Sequence, residues 1–198
     1  MKKNILFAVL LLFIVMSCGK KAEPESSVSK GEVEKVNKIA MPIAKKLLMT
    51  LKGELQGGMQ SGGPMAAIEV CNKKAMELTA QVEKEAGGMI EVKRVSEKPR
   101  NPKNSPDKVD EKAFVKFNGM IREGKELPQS LVLKEDGVYY FYKPLKIQAV
   151  CLNCHGDKNA MDKALVEKIK QLYPNDKATG YKGGDLRGVV RIKVKEEL

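Results

Sequence analysis

The run LVLKEDGVYYFYKPLKIQAVCLNCHG fills residues 131–156 and sets two different signals side by side. Residues 131–134 and 138–147 flank Glu135, Asp136 and Gly137, the layout of a β-hairpin around a tight turn. Side chains alternate across a strand, so Tyr139 and Phe141 share one face while Tyr140 and Tyr142 share the other. The hairpin leads directly into CLNCH, Cys151 to His155, with Gly156 next to give the backbone room to turn.

Upstream, the periodicity changes from two to between three and four. Val36, Ile39, Ile43, Leu47, Leu51 and Leu55 form one stripe of a helix. Pro42 falls inside it and predicts a kink or break near Ala40, because proline lacks a donor and crowds the preceding turn. The glycine-rich residues 57–63 predict the end of that helix, and Pro64 suits the first position of the next. In the second helix, residues 64–86, Ile68, Cys71, Ala75, Leu78 and Val82 fall on one face, which points Cys71 inward. Residues 89–95 alternate as a strand. Residues 98–108, KPRNPKNSPDK, are a rigid turn-rich loop. Residues 109–122 read as a short helix with Phe114, Phe117 and Ile121 on one side, and residues 160–172 as another. A last strand sets Val190, Ile192 and Val194 against Arg191, Lys193 and Lys195, a half-buried pattern.

Hydrophobic residues make up 42% and charged residues 31%, the balance of a folded domain rather than a disordered or membrane-embedded chain. The 198 residues are enough for one core around one cofactor but few for two independent domains. Net charge is +11, yet the lysines are spread along the chain without an aromatic platform or reading helix, which argues against nucleic acid. Anionic lipid head groups, an acidic redox partner or the carboxylates of a cofactor suit such a charge better.

Lys2 and Lys3 precede the apolar run Ile5 to Met16, too short to span a bilayer and laid out as a secretory signal. The following VMSC resembles the lipobox of bacterial lipoproteins, in which the cysteine is lipidated and becomes the new N-terminus. Residues 1–17 then read as a leader, residues 18–31 as a lipidated Cys18 with a polar tether, and residues 32–198 as one domain on the extracytoplasmic side of the cell envelope. An ordinary signal peptide with an incidental cysteine is the alternative.

The chain has four cysteines, Cys18, Cys71, Cys151 and Cys154, and one histidine, His155. An exported protein with an even count suggests disulfides first. CLNCH, however, has the spacing for covalent haem attachment, in which two thiols reach two vinyl groups and the adjacent histidine lies under the iron. A redox dithiol would be expected at a helix start within an α/β fold, not after a strand-rich stretch. Zinc held by Cys71, Cys151, Cys154 and His155 has the right ligand number but asks adjacent residues to point at one small ion. Haem c is the preferred reading. With a single histidine, the sixth iron position falls to cysteine, methionine, lysine, an exchangeable ligand or nothing. Position alone makes Cys71 a small buried core thiol.

Four phrases, EVCNKKA, RVSEKPRNPKNSPD, YKPLKIQAVCLNCHGD and YPNDKATGYKGGDLRG, occur in an order that resembles the Tll0287-like haem-binding domains over nearly the whole mature chain. The resemblance implies an α+β, PAS-like fold with a central antiparallel sheet, long N-terminal helices and a covalent haem c. It also implies a cysteine and the CxxCH histidine as axial ligands, which map onto Cys71 and His155. Arg94 or Arg100 would pair the haem propionates. Three functions follow for comparison. A stand-alone lipoprotein fits a small electron carrier docking an acidic partner. A displaceable sixth ligand would suit a redox or small-ligand sensor, whose signal a partner would have to read. A peroxidase-like enzyme ranks last, because the sole histidine is taken by the iron.

If Cys18 is the anchor, Cys18→Ala should release the protein from membranes into the soluble envelope fraction. Unchanged membrane retention of that variant, read by fractionation, would point to another anchor.

Overall fold

The computed structural model describes residues 28–195; the leader, Cys18 and the tether as far as residue 27 lie outside the described residues. Helix α1 (Lys30–Ala86) begins at Ser29, whose hydroxyl accepts the Glu32 N–H while the Glu32 carboxylate accepts the Ser29 N–H. Its dihedrals leave the helical range only at Gly62 and Gly63, the latter at φ +65° and ψ −155°, a conformation that glycine adopts without a steric cost. Pro64 opens the second arm. The two arms run antiparallel: Lys74 pairs with Glu54 at 2.8 Å, and Lys46 pairs with Glu85.

Two sequence expectations change here. The interruption expected over residues 57–63 shrinks to Gly62 and Gly63, and Gly57 and Gly58 stay helical. Gly58 serves the packing, since a Cβ there would come 2.8 Å from the Cα of Ala67 on the other arm. Nor does Pro42 break the helix. Ala40 and Ala44 on either side of it are fully buried in the core, and tertiary packing outweighs the lost backbone bond.

Strands β1 (Ile90–Val95), β2 (Leu131–Glu135), β3 (Val138–Lys146) and β4 (Leu186–Val194) form one antiparallel sheet in the order β1-β4-β3-β2. The predicted hairpin is β2–β3, closed through Asp136 at φ 50° and Gly137 at φ 77°. Helix α1 covers one face, with Val36, Leu47 and Val82 against Val92, Phe141 and Ile192. Helix α2 (Lys108–Arg122) covers the other, with Phe114 and Phe117 against Tyr140, Tyr142 and Val189. Ile121, predicted on the same side, is instead exposed. The class is α+β, as expected.

The last strand is buried further than its pattern predicts, at Val189 and Arg191, while Lys193 stays partly exposed and Lys195 exposed. β4 sits between β1 and β3, and these two side chains meet α2 rather than water. Arg191 is therefore only 3% exposed, and it reaches Asp107 at 2.6 Å and Asp110 at 3.5 Å, with Glu91 beside them. Those aspartates also cap α2, so one buried charge cluster fixes the helix to the central strand. Burial and the neighbouring Asp110 push the Tyr142 phenol well above its ordinary range, and its hydroxyl donates to Asp110 at 3.1 Å.

Asp110→Ala should cost about 2–3 kcal/mol, because it strips a charged acceptor from two buried donors. Urea unfolding would check this, and a midpoint within error of the parent would show that Asp107 and Glu91 suffice.

Candidate functional site

Past β3 the chain makes a 3-10 turn, Ala149–Cys151, then the single helical turn α3 (Leu152–His155), so the CLNCH residues occupy a tight bend. Gly156 closes it, its N–H 3.0 Å from the Leu152 carbonyl. A Cβ at Gly156 would sit 2.7 Å from that same oxygen, which explains the glycine.

A second segment, residues 176–181, fastens the bend. The Gly180 N–H donates to Gly156 O at 2.7 Å, and the Tyr181 N–H to His155 O at 3.0 Å. His155 Nδ1 lies 2.7 Å from Ala178 O, a contact in which the ring nitrogen donates. Nε2 is left as the nitrogen able to ligate. Tyr181 meets the imidazole edge-on, with centroids 6.2 Å apart at 89°. Burial, with the positive charges of Arg187 and Arg100, lowers the His155 pKa to about 3, so the ring is neutral at physiological pH.

Arg100 comes from the asparagine–proline loop. Its Nε donates to Asp176 at 3.2 Å, and Nη2 donates to the carbonyls of Cys154 and, at 3.3 Å, Ala178. The loop thus holds the CLNCH bend against residues 176–178. Arg94 differs. Strand alternation places it on the Val92 face of β1, its Nη2 is 3.5 Å from the Met76 sulfur, and its buried Nε has no partner among the described residues.

Between the α1 arms, the ends of the sheet and the CLNCH bend lies a cavity of about 970 Å³. Leu51, Leu55, Met59 and Leu78 give it apolar walls, and Cys71, Cys151 and His155 all reach it. Cys71 is half-buried rather than fully buried, on the inward face its spacing predicts. Burial pushes its thiol up, against the opposing pull of Arg94 and Arg100. Cys154 packs instead with Ile68, Leu165 and Ile169 of the second arm and α4 (Lys163–Leu172), and burial raises it too.

Cys71, Cys151 and Cys154 are all free. Among the described residues no three His, Cys, Asp or Glu side chains cluster closely enough to hold a metal ion.

Sequence reasoning missed Arg187 as a site residue. It lines the same cavity, donates to Ser96 Oγ at 2.7 Å and stands 5.5 Å from the Tyr181 ring centre. Its only sequence signal was membership of the phrase YPNDKATGYKGGDLRG.

The chain belongs to the Tll0287-like family, whose model matches residues 20–195. It is similar to the solved structure of the cyanobacterial heme-protein Tll0287, with 25% sequence identity and a TM-score of 0.57. That likeness covers 84% of this chain and 96% of the other. No curated protein matches it.

Arg100→Ala should free the bend while leaving the sheet intact. Amide exchange at Gly180 and Tyr181 should speed up at least tenfold, equivalent to about 1.4 kcal/mol of lost protection, relative to unchanged amides in β4. Equal protection in parent and variant would show that the Asp176 and carbonyl contacts do not hold the bend.

Proposed function

We propose that this chain is an exported, lipid-anchored monohaem c-type protein that carries electrons and is not an enzyme. The carrying observation is that Cys151 and a neutral His155, with Nδ1 engaged and Nε2 left to ligate, border a largely apolar cavity of about 970 Å³, at the upper end of the volume range of cofactor pockets. A histidine ligand whose other ring nitrogen donates to a carbonyl is a recurrent support for a bound metal.

Three further residues of the lining suit a haem, whereas Cys154, the second attachment cysteine, packs beside the bend with Ile68 and Leu165 rather than on the cavity. Cys71 reaches the cavity from the second arm of α1 and would supply a further iron ligand. Iron binding would displace its proton, which burial otherwise retains. The unpartnered Nε of Arg94, together with Arg187, would meet the two propionates, while Arg100 positions the attachment bend. Haem when bound supplies reversible one-electron chemistry; the chain supplies attachment, ligands, counter-charges and apolar walls. The sole histidine is taken, so no free imidazole remains for the acid/base work of a peroxidase.

One observation favours the alternative, a redox or small-ligand sensor signalling through a partner. A thiol whose proton is favoured by burial is a ligand that can be displaced. Carbon monoxide binding by the reduced parent protein would support this second reading.

Produced in cells that mature cytochromes c, the protein should gain the mass of one haem that acid-acetone does not extract. A mass without haem would overturn the proposal. Cys71→Ala should keep the haem, change the ferric spectrum, raise the potential within the roughly 0.8 V that axial ligands control, and admit carbon monoxide. An unaltered ferric spectrum would return Cys71 to core packing and pass the sixth position to a methionine, of which Met59 lines the cavity.

A further inference from the structure

We propose that the mouth of the large cavity is a docking face for an acidic, soluble one-electron protein. The inference rests on the haem reading, and it adds where the partner sits; a membrane in place of the protein is an outcome that the test separates.

The charge around the cavity is lopsided. Lys52 and Lys146 are exposed at it and Lys143 is half-exposed, and none of the three forms an ion pair among the described residues. Glu54, the one carboxylate in the lining, is already paired with Lys74 at 2.8 Å. An uncompensated positive rim steers anionic partners and repels cationic ones.

The same rim carries Val150, 49% exposed and adjacent to Cys151. An exposed apolar side chain among uncompensated charges suits an interface whose centre excludes water while the rim sets orientation. Val150 directly precedes Cys151, so a partner seated on it would lie beside the bend that would hold the haem.

The rim also lies away from the start of the described fold, which is Lys30 of α1. The cavity-lining part of that arm begins at Leu48, roughly 27 Å further along at about 1.5 Å per residue.

The test uses the full holoprotein in detergent micelles, with a plant-type [2Fe–2S] ferredoxin as the acidic probe and binding, not electron transfer, as the readout. Raising salt from 0.05 to 0.2 M should weaken binding several-fold. The triple reversal Lys52→Glu, Lys143→Glu and Lys146→Glu should weaken it at least tenfold. Lys163→Glu with Lys170→Glu, exposed on α4, should change it less than twofold. Equal losses from the two sets, or no loss from the triple reversal, would overturn the proposal. So would a triple reversal that abolishes binding to phosphatidylglycerol vesicles while ferredoxin binding persists, since the face would then be a membrane face. Absence of haem, read beforehand from the absorption spectrum, would sink the functional reading separately, because the binding result does not depend on redox activity.

Discussion

The cavity depends on the break in α1 at Gly62 and Gly63. An uninterrupted helix of that length would project far beyond the sheet, and the residues after the break would have nothing to pack on. A glycine at φ +65° followed by a proline lets the chain reverse within two residues, and Gly58 lets the arms approach backbone to backbone. The reversal brings Cys71 to the cavity that the CLNCH bend also borders. Ile68, three residues earlier, packs against α4 and steadies that arm beside Cys154.

Around this frame, polar groups divide into those that hold and those that face the cavity. Asp107, Asp110, Glu91 and Arg191 form a charge cluster under α2 in which the two Nη atoms of Arg191 meet carboxylates while its Nε, like that of Arg94, has no partner among the described residues, and the cost of burial is offset by fixing helix to strand. Arg100 plays the same part for the bend, bridging Asp176 and two carbonyls. Arg94 has no such closure. A buried guanidinium nitrogen without an acceptor is costly, and its position in the cavity wall is what an anionic ligand would repay.

The bend shows how strongly a short motif leans on distant chain. CLNCH determines the order of thiols and imidazole, but the ring is held by a carbonyl more than twenty residues later, and Gly180 and Tyr181 secure the backbone on either side. Fixing the imidazole through Nδ1 removes a tautomer choice and leaves Nε2 free of that contact.

What the sequence determined by itself was local. The β2–β3 hairpin followed from alternation around an Asp-Gly turn, the inward face of the second arm from spacing, and the closeness of Cys151 and His155 from adjacency, all properties of neighbouring residues. What only the tertiary structure decided was where neighbours came from elsewhere in the chain. Alternating charge on β4 read as solvent exposure, because nothing local told that α2 would bury Arg191 with its own capping aspartates. Pro42 read as a break, because the packing that holds the helix there lies on the sheet. Arg94 and Arg100 read as equivalents, six residues apart in one phrase. Both line the cavity, but Asp176 and Ala178, distant in sequence, engage the Arg100 guanidinium and leave the Nε of Arg94 without a partner among the described residues.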